Sequence, residues 1–348
     1  MSRAVRRERL GRLIAEQGAD ALYVGDLVNV RYLTGFTGSN GAVLISADGS
    51  AVFFTDGRYR EQAVRELPDV EHVITRQLLD EARGRAHGLL LAETHVLSVD
   101  AWRRLGEPVS SGRLVERLRE VKDDGEIDSL RRACAVSAEA LEQLLAGRLV
   151  GRTERELAHE LEDRMFRLGA EDKAFDTILA AGENSAVPHH HPTERVVERG
   201  DLLKIDFGAL VEGYHADCTR TVVIGAASDW QREIYAAVRE SQAAGLDRLR
   251  EGVPVAESYT AATASLDAAG WLSAFTTGLG HGVGLQIHED PFIGAAHPGR
   301  LTRRTVLTME PGIYLPGRGG VRIEDTVVVT DAAPEVLTTT PKDLMEID

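Results

Sequence analysis

Apolar positions along the first 110 residues switch between two spacings. Within the Arg-rich stretch 3–17, Leu10, Leu13 and Ile14 recur at helical spacing, and Gly18 is a natural stop. Short apolar runs follow at 21–24, 42–45 and 51–54, and Asp48-Gly49 between the last two predicts a hairpin. Further strands are predicted near 72–74 and 96–99, with a helix near 79–88. Alternating elements of this kind predict a small α/β domain over 1–115. Gly106, Pro108, Ser110, Ser111 and Gly112 then cluster, which marks a linker within 105–123. Beyond it, helical periodicity covers 125–147 and 153–168, the second opened by the capping box Thr153-x-x-Glu156. A third helix is predicted from Ser228, with Gln231 in the capping position, to about 250. Strand patterns fall at 201–224, 305–314 and 321–330, so residues 116–348 read as an α+β domain.

Composition narrows the function classes. At 348 residues the chain is long enough for two domains, and its 43% apolar content can build a core for each. A net charge of −15 argues against a nucleic-acid or anionic-membrane partner. No apolar run reaches the length of a membrane span, and the basic N-terminus lacks the apolar core of a signal peptide. Only Cys134 and Cys218 are present, so no disulfide framework is expected. Together these features predict a soluble cytoplasmic protein.

Candidate chemistry concentrates in the second domain. In 201–225 two strand-like runs flank Glu212-Gly213, and pairing about Val211–Glu212 would make Asp206 and Asp217 cross-strand neighbours. Directly opposed carboxylates destabilise a sheet unless something neutralises them. A divalent cation such as Mn²⁺, Co²⁺ or Zn²⁺ would do so; the alternative is a pair of exposed turn-flanking aspartates. His281 lies in Gly-Leu-Gly-His-Gly-Val-Gly, where small neighbours permit close approach of backbone and ligand. His288 follows in Gln-Ile-His-Glu, and His189, His190 and His191 form a separate group, of which His190 and His191 read as surface residues. Glu310 precedes Pro311, which biases it to an extended strand end. Glu324 sits in an apolar run where an unpaired charge is costly, and strand alternation puts Arg322 on its face. An ordinary Arg–Glu surface pair is the alternative. Two Asp, one His and two Glu exceed what a single four-coordinate zinc site needs, which points to two metals about 3.5–4 Å apart. Cys218 faces away from Asp217 by alternation, so it reads as a buried structural cysteine.

In order and wording these motifs resemble the pita-bread metallopeptidases: Asp206-Phe-Gly, Asp217-Cys-Thr-Arg-Thr, Gly280-His-Gly-Val-Gly, Glu310-Pro-Gly-Ile-Tyr and Arg322-Ile-Glu-Asp-Thr. Gly182-Glu-Asn-Ser-Ala-x-Pro188-His189-His190 and a creatinase-like N-terminal domain are similar to the Xaa-Pro branch, which includes aminopeptidase P and prolidase. The resemblance implies a dinuclear site with Asp206 on one metal, His281 and Glu310 on the other, and Asp217 and Glu324 bridging. It implies Mn²⁺ as the metal, catalytic roles for His189, His288 and Glu310, and substrate contacts from Phe175, Ile178 and Arg322. It further implies a peptide substrate with proline at the second position and a homodimer. The words Gly35-Phe-Thr-Gly-Ser39 and Thr55-Asp-Gly-Arg-Tyr59 are closer to aminopeptidase P, with prolidase as the alternative and Arg58 as one candidate for gripping a dipeptide carboxylate. A non-catalytic binding protein on the same fold is disfavoured because no ligand position departs from the pattern.

Overall fold

A computed structural model describes all 348 residues. The chain divides into two compact units, Met1–Arg119 and Glu120–Asp348. The cut falls inside the predicted linker, which holds the short strand Val109–Ser110 and the helix Leu114–Glu120.

In the first unit the apolar runs form a six-stranded mixed sheet. Across it lie Glu71–Ile74, Ala51–Thr55, Ala42–Ser46, Ala21–Val24, Leu90–Ala92 and Val109–Ser110. Ala42–Ser46 and Ala51–Thr55 form the predicted hairpin. Its turn uses Gly49 at φ 85° and an Asp48 side chain that accepts from the Ser50 amide at 2.9 Å. Tyr23, Leu44, Phe54 and Leu90 build the core on one sheet face with Ala82 and Leu105. The strand expected at 96–99 is absent. Ser98 instead caps a helix, Val99–Arg104, accepting from the Ala101 amide at 3.1 Å, so a local N-cap overrides the apolar run. The helix Leu27–Thr34, capped by Asp26, has no counterpart in the pattern reading.

The second unit is α+β. Capping boxes open Asp124–Leu145 (Asp123 with Glu126) and Glu154–Arg167 (Thr153 with Glu156). The third helix, Asp229–Leu246, starts as predicted, with Gln231 accepting from the Ser228 amide at 2.8 Å, but ends before 250. A fourth, Val255–Ala268, was not legible in the pattern. One four-stranded sheet runs Glu346–Ile347, Cys218–Ile224, Leu202–Phe207, Ile178–Ala181. Val306–Met309, Asp325–Val328 and Glu335–Val336 form a second sheet, and Gly312–Leu315 pairs with Gly319–Arg322. Helices cover these sheets through two apolar clusters. Ile234, Tyr235, Val238 and Leu266 pack on Leu202, Val223, Ile313 and Val321. Leu246, Val255 and Ala262 pack on Leu279, Leu307, Met309 and Val327.

The long strand patterns are interrupted where the candidate ligands sit. The run 305–314 breaks at Glu310-Pro311, since Pro311 has no N–H to continue the ladder. The run 321–330 breaks at Ile323-Glu324, and the chain passes from one sheet to the other. Asp217 occupies a gap between Tyr214–His215 and Cys218–Ile224.

Candidate active site

The hairpin turns at Glu212-Gly213, with φ of 52° and 79°, the two positive values of a type I′ turn. This centre lies one residue beyond the predicted one, so Asp206 pairs with Thr219 rather than with Asp217. A two-residue offset keeps side chains on one face, and both aspartates still point into the same cavity.

His281 and Glu310 are brought together by a segment alongside Val306–Met309. Thr308 donates its amide to the His281 carbonyl and Glu310 its amide to the Leu279 carbonyl, each at 2.8 Å. This approach requires glycine at 280: at φ 157°, an added Cβ would lie 2.2 Å from the Thr308 carbonyl oxygen. His281 Nδ1 donates to the Gly282 carbonyl at 3.0 Å, which turns an unprotonated Nε2 toward Asp217 Oδ2 at 3.4 Å and Glu310 Oε1 at 3.5 Å. Burial pushes His281 down to about 4, so the ring is neutral at pH 7.

Asp217, His281 and Glu324 offer donor atoms within 4.8 Å of one another. Atoms each about 2.1 Å from a shared ion sit roughly 3.0–3.4 Å apart, close to the observed spacings. Burial, then the charges of Glu324 and Asp206, holds the Asp217 carboxyl well above its usual range. Glu324 is shifted the same way by burial and by Glu310 and Asp206, and burial raises Glu310 to about 7. Asp206 Oδ1 is buried without a hydrogen-bond partner. A crowded anionic cluster with an orphaned oxygen and an upturned imidazole nitrogen fits divalent cations.

The surroundings fix this cluster. Arg322, 2% exposed, donates to Asp206 Oδ2, to Thr219 Oγ1 at 3.0 Å, to the Tyr314 hydroxyl at 2.8 Å and to the Pro188 carbonyl at 3.3 Å. Four of its five N–H bonds are therefore committed. Arg322 is thus buried and paired with Asp206, not with Glu324 at the surface as the alternative had it, and one N–H remains for a substrate contact. Thr219 Oγ1 donates to Glu324 Oε2 at 2.7 Å, tying the strand Cys218–Ile224 to the break at Ile323-Glu324. Sequence reasoning missed Thr219, although the correct hairpin register would have exposed it.

Asp206, Asp217, His281, Glu310, Arg322 and Glu324 line a cavity of about 530 Å³, together with Phe175, Ile178, His189, His288, Ile287 and Phe292. Ile178 gets there because it is the cross-strand partner of Asp206. His288 packs edge-on to His281 with ring centroids 4.4 Å apart, and is lowered by burial and by the nearby His189. His190 and His191 also border the cavity; His191 is exposed as expected, whereas His190 is only 11% exposed and lies 2.8 Å from Glu154 Oε2, against the expectation of a surface residue. Cys134 and Cys218 are free and buried. Arg58 forms a two-pronged pair with Asp56 in the first unit, the ion-pair alternative to a substrate contact.

Sheets that converge on a buried carboxylate–histidine cluster beneath a partly apolar cavity are the design of a metal-dependent hydrolase. The chain belongs to metallopeptidase family M24, whose sequence model matches residues 128–331, and residues 6–121 match the creatinase/prolidase N-terminal domain. It is 34% identical to an Xaa-Pro dipeptidase of Pyrococcus furiosus, over 98% of this chain and 99% of that protein. An Xaa-Pro dipeptidase from Bacillus anthracis superposes with a TM-score of 0.94 at 36% identity, covering 99% of this chain and 100% of that one. An X-Pro aminopeptidase from Thermotoga maritima gives 0.90 at 36% identity, covering 98% and 99%. The protein is thus a metallopeptidase with the pita-bread fold, and the family implies divalent metal ions at the carboxylate–histidine cluster.

Proposed function

We infer that this metallopeptidase is an Xaa-Pro dipeptidase. The observation that carries it is end-to-end likeness to dipeptidases of that name, joined to a cavity in which apolar Phe175 and Ile178 face the carboxylate–histidine cluster. The N-terminal words favoured aminopeptidase P, but the likeness to the Pyrococcus and Bacillus proteins spans both units and shifts the weight to dipeptides. Cleavage of longer peptides is the second reading, favoured by equal identity to the Thermotoga aminopeptidase.

Asp206, Asp217, His281, Glu310 and Glu324 are assigned as the metal-holding residues. Four hard carboxylates with one imidazole suit Mn²⁺. Bound divalent cations would polarise the scissile carbonyl and make water a nucleophile at neutral pH. The chain's own groups do the remainder. Arg322 and Thr219 hold Asp206 and Glu324 in place, so the anionic cluster does not relax apart. Glu310 lines the cavity within the cluster, where it can pass on a proton from water subject to its ligand role. His189 and His288 border the cluster and can steady the oxyanion or donate to the departing proline nitrogen, which leaves poorly as an anion. Phe175 and Ile178 offer the apolar wall that a pyrrolidine ring needs. Two free buried cysteines accord with a reducing, cytoplasmic setting.

The test compares kcat/KM for Ala-Pro and Ala-Pro-Ala with Mn²⁺-loaded protein. A dipeptidase gives at least about a tenfold preference for Ala-Pro, roughly 1.4 kcal/mol at the transition state. A preference for the tripeptide would establish the aminopeptidase reading instead.

A further inference from the structure

His189 borders the carboxylate–histidine cluster, yet no hydrogen bond of its own fixes it there. The residue is exposed, and neither its backbone nor its ring bonds to another group of the chain. A histidine that meets a developing oxyanion has to be in place before the reaction, because a shift of about 1 Å can cost on the order of a hundredfold in rate. Whatever holds His189 must therefore act through its neighbours.

Two buried side chains grip those neighbours. Lys204 lies on the strand Leu202–Phe207, two residues before Asp206 and on the same face. It is fully buried, and every other residue of that strand except Asp206 is apolar. An amine in such a place is costly unless its donors are used. Both carbonyls that lead into His189 use them: Lys204 Nζ donates to the Val187 carbonyl at 2.5 Å and to the Pro188 carbonyl at 3.3 Å. Arg322 adds a further donor to the Pro188 carbonyl at 3.3 Å. Past His189, the His190 ring lies 2.8 Å from Oε2 of the buried Glu154. Glu154 also accepts from Asn184 Nδ2 at 3.0 Å and from the Thr193 amide and hydroxyl at 2.9 and 2.7 Å. Glu154 thus closes the ends of the segment 184–193, whereas Lys204 reaches its middle.

We propose that Lys204 is a positioning residue for His189. By holding the Val187 and Pro188 carbonyls it fixes the backbone that carries His189, while the Glu154 contacts fix the ends. The ring then meets the oxyanion or the departing nitrogen without first having to be ordered. This rests on the role given to His189 above. Because the clamp acts on the transition state, its loss reads in kcat and little in KM.

The experiment measures kcat and KM for whichever of Ala-Pro and Ala-Pro-Ala the Mn²⁺-loaded wild type cleaves faster. Lys204→Met, His189→Ala and the double variant are compared with wild type, and bound manganese is counted in each. Methionine has nearly the length of lysine, suits a core strand and cannot donate. His189→Ala is expected to lower kcat about 10²–10³-fold. Lys204→Met is expected to keep its manganese and lower kcat about ten- to a hundredfold, with KM changed by less than about threefold. In the His189→Ala background the same substitution should change kcat by less than about twofold, since the group it positions is already gone. A residue that merely supports the fold would cost the same factor in both backgrounds, and that result overturns the proposal, as does an unchanged kcat in Lys204→Met. If His189→Ala keeps the wild-type kcat, His189 has no part in the reaction, and this proposal falls while metal-dependent hydrolysis stands. Should Lys204→Met lose manganese, Lys204→Gln takes its place in the cycle, being polar but too short to span both carbonyls. Loss of manganese in both would make Lys204 a support of the metal cluster and also overturns the proposal.

Discussion

Glu310 shows what a metal site costs a protein while the metal is absent. Its carboxyl is raised from about 4.5 in the unfolded chain to about 7 in the fold by burial. Between those values the native state binds more protons than the unfolded state, so this group's contribution to stability falls as pH rises. That contribution is complete below about pH 4.5 and lost through pH 7, and the shift is worth about 3 kcal/mol. Metal-free protein is therefore expected to have a lower Tm at pH 8 than at pH 5.5, and Glu310→Gln should flatten that slope. Bound Mn²⁺ should remove the slope and release protons on binding, which calorimetry in buffers of different ionisation enthalpy will count. An identical pH slope in metal-free wild type and Glu310→Gln would show that Glu310 is not held protonated.

Elements explain why these residues meet. The candidate glutamates lie where strands break, and Asp217 lies in a gap between two strands. Gly280 lets the His281 segment lie against Val306–Met309, so Gly280→Ala should force them apart. The expected cost is about 1–3 kcal/mol in stability, with weaker metal affinity, read by thermal melting and metal titration. Unchanged metal affinity would show that the close approach does not set His281. Behind the site, Arg220 is fully buried and donates to Asp325 Oδ1 at 2.7 Å and the Thr340 carbonyl at 2.7 Å. Asp325 also accepts from Gln242 and Lys342, so this network pins the C-terminal segment to the sheet. Arg220→Ala leaves Asp325 short of its main partner and should cost about 3–5 kcal/mol by denaturant melting. A loss below 1 kcal/mol would mean that water and Lys342 compensate fully.

These elements also show what the sequence made legible. Capping boxes, the Asp48-Gly49 hairpin and the Asp, His and Glu words announce themselves locally, because each is a short-range chemical pattern. What remained hidden depends on tertiary register. Asp206 pairs with Thr219 because the turn centre shifts by one residue, a choice made by Glu212-Gly213 and not visible in hydrophobic alternation. The split of 321–330 into two sheets could not be read from an unbroken apolar run. His190 looked like surface because its partner, Glu154, lies 36 residues away. Alternation puts Arg322 on the face of Glu324, yet past the break at Ile323-Glu324 the two meet only through Thr219 Oγ1, and Arg322 pairs with Asp206 instead.

For the whole molecule the central claim is metal-dependent Xaa-Pro hydrolysis at one cluster in the second unit. No helix is long and apolar enough to cross a membrane. The most direct measurement titrates Mn²⁺ into EDTA-stripped protein while following both bound metal and Ala-Pro hydrolysis. The stripped protein should be inactive, and activity should return as binding approaches two ions per chain. Asp217→Ala should bind less metal and stay inactive, since it removes a proposed metal ligand from the cluster. Hydrolysis by rigorously metal-free protein, or full activity in Asp217→Ala, would contradict the account.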